Sequence, residues 1–372
     1  MQVRKIDTRN RKDVRKFMQV PFDLYRGNAQ WVPPLESDIR GAMNRDKHPF
    51  YAHSDADFFV AERDGQAVGR IAALFNRKYN EYHNRRNAFF YYFDCEDNPD
   101  TAQGLFDAAF DWARGRGMTE IKGPRGINRS DGHGLLLEGF EFRPAMGMPY
   151  NHPYYQALVE GAGFVKHDDF LSGRLDRGHV LPERFFEIAE RVKERRGFRI
   201  QQFRNKRELR KGIEAIQPVL LKAFADQSEF HPFTPQEFKQ MVNNMILAAK
   251  TDCVKLVMKG DDPIGFLFTF SDLSAALQET GGRLWPFGWI RILREFKRTD
   301  WANLQGVGLL PEYQGMGANA VLYAELAKTL QNSQFNHGDI VQVSEQNMKS
   351  FSDMEAVGVT WYKRHRVYRR EL

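Results

Sequence analysis

The residues from Gly306 to Asn319 read Gly-Val-Gly-Leu-Leu-Pro-Glu-Tyr-Gln-Gly-Met-Gly-Ala-Asn and hold the pattern with the most chemistry in the chain. An apolar strand ends at Pro311, which has no N–H to continue a ladder. Gly315 and Gly317 let backbone amides come close to a ligand. The run from Ala320-Val321-Leu322 reads as a helix, and its first N–H groups and positive dipole end face the same place. Strand end, glycine loop and helix start together make an anion site suited to a pyrophosphate. No Walker loop or complete G-x-G-x-x-G competes for that role.

This segment resembles the acyl-coenzyme A loop of the GNAT superfamily of N-acyltransferases, Gln/Arg-x-x-Gly-x-Gly/Ala, here Gln314-Gly315-Met316-Gly317-Ala318-Asn319. Asn319 departs from the final glycine or alanine, although asparagine tolerates unusual backbone angles and caps helices well. The resemblance implies that the backbone at Leu309, Leu310 and the six residues from Gln314 to Asn319 holds acetyl-CoA or a longer acyl-CoA as co-substrate, without a metal. It also implies that the N–H near Leu309 polarises the thioester carbonyl. Asn347 opens a helix that Gly358 closes, where the family's asparagine contacts coenzyme A. The family's tyrosine acid, four residues before that glycine, is here Met354, which has no proton to donate.

Aminolysis of a thioester needs a neutral amine, a polarised carbonyl and a proton acceptor. The candidate acceptors are Glu345, on the strand before Asn347, and Glu229 or His231, between the first two helices of the second half. Each has an ordinary alternative: Glu345 as an exposed carboxylate, His231 before Pro232 as a turn residue. Two rival functions stand beside the acyltransferase, an aminoacyl-tRNA-dependent transferase and a non-enzymatic acyl-CoA sensor. The partners expected are acyl-CoA and an amine acceptor, either a small molecule or a lipid, and no DNA.

These residues need a scaffold, and the chain writes it twice. Arg9-Asn10-Arg11-Lys12-Asp13-Val14-Arg15-Lys16 returns as Arg204-Asn205-Lys206-Arg207-Glu208-Leu209-Arg210-Lys211. Asp64-Gly65-Gln66-Ala67-Val68-Gly69 is matched by Asp261–Gly265, and Gly161–Phe164 by Ala356–Val359, at one nearly constant offset. Three matches in order argue for a duplicated fold. Each half reads as strand, basic-faced helix, strand, tight turn, strand, strand, helix, strand, short helix and closing strands. The fold class is therefore α/β in α+β layers: two GNAT-like domains, 1–178 and 179–372, each a mixed sheet flanked by helices. Over nearly its whole length the chain resembles a poorly characterised bacterial family of tandem GNAT proteins. The resemblance runs through Trp31–Leu35, Val68–Ala73, Gly134–Phe140, Gly282–Gly288 and Pro311–Gly315. Some related acyltransferases act on long-chain amines of lipid pathways.

The first half lacks the loop. Asp94-Cys95-Glu96-Asp97-Asn98-Pro99-Asp100 stands in its place, and four acids there repel a pyrophosphate. The 1–178 region is thus expected to be degenerate, and Gly123–Gly134 reads either as a plain loop or as part of an acceptor site. Between the third and fourth strands of the second half lies an insert in which Trp289, Ile292, Leu293 and Phe296 form one helical stripe among basic residues. The stripe reads as core packing, as the cover of an acyl-chain groove, or as a membrane contact through 285–298. The 54 Lys and Arg against 48 Asp and Glu, net +6, suit an anionic partner without choosing one. No apolar run approaches the ~18 residues needed to cross a bilayer, and Met1–Lys5 leads into charged sequence. The expected location is cytoplasmic, or peripheral at the inner membrane face. Cys95 and Cys253 read as buried apolar residues.

Overall fold

The computed structural model describes residues 1–127, 131–176, 181–227 and 229–372. The first half runs β1 (Gln2–Lys5), α1 (Arg11–Leu24), α2 (Glu36–Met43), β2 (Asp55–Arg63), β3 (Gln66–Phe75), α3 (Arg77–His83), β4 (Asn87–Cys95), α4 (Pro99–Arg114), β5 (Glu120–Gly123), β6 (Leu135–Glu138), α5 (Tyr155–Gly161) and β7 (Val165–Asp176). The second runs α6 (Glu183–Arg196), β8 (Phe198–Gln201), α7 (Lys206–Ala215), α8 (Gln217–Ala223), α9 (Pro235–Ala248), β9 (Val254–Lys259), β10 (Asp262–Ser271), α10 (Ser274–Thr280), α11 (Gly288–Arg298), β11 (Trp301–Leu309), α12 (Ala318–Gln331), β12 (His337–Ser344), α13 (Met348–Val357) and β13 (Thr360–Glu371).

The repeated sequence performs the same local work in both halves. Asn10 accepts hydrogen bonds from the Lys12 and Asp13 amides at the start of α1, and Asn205 does so from Arg207 and Glu208 at the start of α7. A side-chain oxygen at this position satisfies N–H groups that the helix leaves open. The β2–β3 hairpin turns on Asp64 and Gly65, with φ of 51° and 79°, the left-handed pair that suits a tight two-residue hairpin.

All the described strands join one mixed sheet, in the order β1-β2-β3-β4-β5-β13-β7-β12-β11-β10-β9-β8, with β6 beside β13. The last strand of each half therefore lies in the sheet of the other. β13 is antiparallel to β5, with Tyr368 opposite Gly123, and β7 is antiparallel to β12, with Leu175 opposite Gly338. At the centre β13 and β7 pair with each other. Each half carries helices on both faces, giving α1 and α2 against α4 and α5, then α7 to α9 against α6 and α12, with a hydrophobic cluster in every layer. Tyr368, supplied by β13, is fully buried in the α4–α5 cluster of the first half. The fold is thus α/β with the duplication expected from the sequence.

Candidate active site

β11 and β12 run parallel, but only from Trp301–Leu304 against His337–Ile340. Beyond Leu304, β11 continues beside β10 to Leu309, while β12 follows β7 to Ser344. A bulge after Ile340, with Gln342 at φ 47°, steers β12 away. The two strands therefore enclose a wedge-shaped gap that opens toward their C-terminal ends.

The gap's open end meets the glycine loop. A 3-10 turn spans Pro311–Tyr313, Gly315 takes φ 72°, and Gly317, at φ 84°, is the N-cap of α12. No side chain caps this helix, so the first-turn amides of Ala318, Asn319 and Ala320 stay available to an anion. A Cβ on Gly317 would lie 2.9 Å from Val192 on α6, whereas the space beside Gly315 is open. Both glycines are needed for their left-handed backbone, and Gly317 also for its contact. Leu310 donates to the Ile264 carbonyl of β10 at 2.9 Å. Neighbouring residues of a strand aim their amides to opposite edges, so the Leu309 N–H points into the gap. Gln314 closes over that edge: its amide donates to the Leu309 carbonyl at 3.5 Å and accepts from Lys349 on α13 at 2.9 Å.

Asn319 caps nothing. It sits in the first turn of α12 and donates to Asp353 of α13 at 2.7 Å, tying together the two helices that flank the gap. Asn347 is the N-cap of α13 and accepts from the Ser350 amide at 3.1 Å. Met354 is buried in the α6–α12 cluster and is no proton donor. Glu345 follows β12 at the gap's open end. Lys166 of β7 holds its carboxylate at 2.7 Å, and the Asp169 amide donates to it at 3.3 Å.

A polar cluster that the sequence reading missed lies at the narrow end. Asn303 and Asp339 are partners across β11 and β12, one step before the last pair, Leu304 and Ile340. Ile340 belongs to the apolar layer under α12, so Asp339 faces the opposite side of the sheet. Tyr362 of β13 donates to Asp339 at 2.7 Å, and Lys363 donates to Tyr362 at 3.2 Å and to the Arg143 carbonyl at 2.6 Å. Asn303, Asp339 and Lys363 are all nearly inaccessible. The Asn303 amide lies against the buried Asp272 carboxylate, and among the described residues one oxygen of Asp339 has no hydrogen-bond partner. Burial pushes the Asp339 carboxyl up, against the pull of Lys363 and Tyr362, to about 6. Burial likewise brings the Lys363 ammonium down to about 8. The signal in the sequence was a polar residue inside each apolar strand, Ala302-Asn303-Leu304 and Gly338-Asp339-Ile340. No short motif contains both.

A solved structure of a tandem GNAT protein from the clavulanic acid biosynthesis pathway superposes on all of this chain and on 98% of its own, with a TM-score of 0.60 at 10% identity. The chain has the tandem GNAT fold. It is 26% identical over 372 residues to Protein YghO of Escherichia coli (strain K12), covering 98% of this chain and 94% of that one. It is also 26% identical over 370 residues to Bacterial ceramide synthase of Caulobacter vibrioides (strain NA1000 / CB15N), covering 97% and 95%. No family model matches.

The corresponding gap of the tandem GNAT fold's first half is closed. β4 and β5 pair from Asn87–Phe89 against Glu120–Lys122, and the chain then returns, with the Arg125 amide donating to the Phe90 carbonyl at 2.9 Å. The Arg125 guanidinium lies over the rings of Tyr79 and Phe89, at 4.7 and 4.8 Å from their centres. At the helix start, Asn98 accepts from the Asp100 and Thr101 amides and so occupies the groups that α12 leaves open. The acidic run contributes less repulsion than its sequence suggests. Asp94 is paired with Arg70 at 2.7 Å and Glu96 with Arg63 at 2.7 Å.

Two of the expected proton acceptors, Glu229 and His231, face residues of the first half and not the open gap. Glu229 forms an ion pair with Arg125 and lies 3.3 Å from His167, among Lys122, Phe170 and Val367 over β5, β13 and β7. Burial alone would raise its carboxyl, but Arg125, His167 and Lys122 outweigh burial and bring it down to about 2. A carboxylate held that low is a poor base near neutral pH. His231 meets Asn76 of the first half at 3.1 Å. Their segment, together with the ring of His83 on the Phe230 carbonyl at 2.6 Å and His53 on Glu237 at 3.0 Å, docks the second half onto the first. Reciprocally, Gln342 of β12 accepts from the His133 amide at 2.9 Å and donates to its carbonyl at 2.7 Å. Ser274 donates to the Pro144 carbonyl at 3.1 Å. Of the Gly123–Gly134 loop, residues 128–130 lie outside the described residues.

The insert's stripe is not core packing. No residue of α11 is buried, and Trp289 and Leu293 of the stripe are exposed, so the stripe is not part of the core. Among the described residues no helix is long and apolar enough to cross a membrane.

Proposed function

We propose that this protein transfers an acyl group from acyl-coenzyme A to an amine, and that the amine is long-chain and lipid-related. One observation carries the reading: the open wedge between β11 and β12, with the Leu309 amide aimed into it and the uncapped start of α12 at its mouth. An amide donor inside the gap can stabilise the charge that develops on a thioester carbonyl. The amides of Gly315, Gly317, Ala318 and Asn319, with Lys349 beside Gln314, offer the pyrophosphate its contacts. The C–N bond forms as the C–S bond breaks. The amine's proton passes by way of water in the gap to the Asp339 carboxylate at its narrow end, whose value of about 6 suits a proton acceptor working near neutrality. Coenzyme A is a stable enough thiolate to leave without a side-chain acid, which fits a buried Met354. The lipid-related acceptor is supported by a relative that bears the name ceramide synthase.

The test is an acyl-CoA series from acetyl to palmitoyl against long-chain amino alcohols and small polar amines, reading free thiol and amide product. Amide formation with a long-chain amine is expected. A preference for acetyl-CoA with a small polar amine would remove the lipid assignment, and no thiol release with any amine would remove the transferase.

A further inference from the structure

The segment between β10 and β11 carries an apolar surface that the rest of the chain does not cover. Leu284, Trp285, Phe287, Trp289 and Leu293 are all exposed, with Trp285 at 83% and Phe287 at 72%. Basic side chains frame them. From Arg283 to Arg298 there are five, Arg283, Arg291, Arg294, Lys297 and Arg298, against the single acid Glu295, and of the five Arg291 is held by Glu279 of α10 at 2.8 Å. Trp289 turns its indole N–H back to the Pro286 carbonyl at 3.1 Å, which leaves its apolar edge outward.

Beside this segment is a cavity of about 310 Å³. Arg15, Arg40 and Arg283 line it over an apolar floor that includes Met18, Phe22 and Ile39. Glu36, its one acid, is occupied by Arg40 at 2.7 Å and Arg283 at 3.3 Å, and Arg15 has no ion pair among the described residues. The cavity thus carries a surplus of positive charge over apolar groups, and Arg283 belongs both to it and to the aromatic segment.

We infer that Leu284–Arg298 and the arginine-lined cavity form one docking surface for a bilayer containing anionic phospholipid. Aromatic and aliphatic side chains enter the boundary between headgroups and acyl chains while the arginines and lysine meet the phosphates. The charge decides for a membrane over a second copy of this chain. A partner protomer would bring the same surplus cations, Arg294, Lys297 and Arg298, to a two-fold contact and place like charges together. The helix then lies in the interface plane and does not cross it. The inference stands on this surface and does not depend on the acyl-transfer reading.

The experiment is sedimentation of the full chain with phosphatidylcholine vesicles, with and without phosphatidylglycerol, at two salt concentrations. Binding to the phosphatidylglycerol vesicles is expected, weakening as salt rises. The triple variant Trp285→Ser, Phe287→Ser, Trp289→Ser and the double variant Arg294→Glu, Lys297→Glu are each expected to lower partition by about tenfold or more. Their circular dichroism and melting should stay as in the parent, since no residue of α11 is buried. Arg15→Ala with Arg40→Ala should reduce the preference for phosphatidylglycerol. The inference is overturned by absence of vesicle binding or by binding that neither surface variant changes. It is equally overturned by release with inorganic phosphate at matched ionic strength, which would mark a free-anion site. A dimer in light scattering that the triple variant dissolves would overturn it too, because the patch would then join two copies.

Discussion

Leu304 and Ile340 are the last residues of β11 and β12 that still face one another, and the strands part immediately beyond them. The inward-pointing amide follows from that parting, and the buried polar pair Asn303 and Asp339 sits one step before it. A sheet that stayed paired to Leu309 would use the Leu309 N–H in its own ladder and leave no space between the strands.

Lys349→Glu is expected to weaken coenzyme A binding at least several-fold, because it reverses an exposed charge beside Gln314 without touching the core. Gly317→Glu should abolish binding, since it adds a negative charge at a φ of 84° and pushes a side chain against Val192. Calorimetry with coenzyme A measures both, and a melting curve checks that the Gly317 variant is folded. Normal affinity in Lys349→Glu and in a folded Gly317→Glu protein would place the coenzyme elsewhere.

Asp339→Asn should lower turnover on the order of 10²-fold with little change in coenzyme affinity. The wild-type rate should fall as pH drops through about 6, where the carboxylate takes up its proton. The variant should lack that limb. Stability runs the other way. The folded value lies above the ordinary 3.8, so the folded protein holds this proton more tightly. The resulting stability is full below the unfolded value and lost as pH rises through about 6. At pH 8 the asparagine variant should therefore melt no lower than the parent. A variant that loses stability at pH 8 and keeps the acid limb would make Asp339 structural.

Glu345→Gln should reduce turnover by less than about threefold, because its carboxylate is already engaged by Lys166 and the Asp169 amide. A loss of the size expected for Asp339→Asn would return the base to Glu345.

Glu229→Gln leaves the part-buried Arg125 guanidinium without its ion-pair partner. Breaking a pair buried to this degree costs up to about 3 kcal/mol, below the range for a fully buried one. Chemical denaturation should register that loss, while turnover of the remaining folded protein stays near the parent's. A large fall in turnover at unchanged stability would restore Glu229 to the catalytic machinery.

Residues 1–178 expressed alone retain β7 but lack β13, which leaves unpaired edges on β5 and β7. That fragment should be insoluble, and co-expression with 179–372 should recover soluble protein. A soluble, cooperatively melting fragment would show that each half is self-sufficient despite the exchange.

Much of this was legible in the linear sequence. Glycine and proline at Pro311, Gly315 and Gly317 specify a loop by backbone geometry alone, and that survives any context. The duplication was visible because Asn10 and Asn205 cap equivalent helices through contacts only two and three residues away. Charge read in one dimension misled. Asp94 and Glu96 look like repulsive acids until Arg70 and Arg63 arrive from other parts of the chain. Glu229 looks like a base until Arg125, from the other half, binds it. The tertiary structure alone decided that β7 and β13 change places and that Asp339, Asn303 and Tyr362 converge. These residues come from three strands with no local spacing in common, and a carboxyl's environment is set by what packs around it. The stripe on α11 shows the same division. Its periodicity fixed a helix with an apolar face, but whether that face meets protein or solvent depends on what the rest of the chain packs against it.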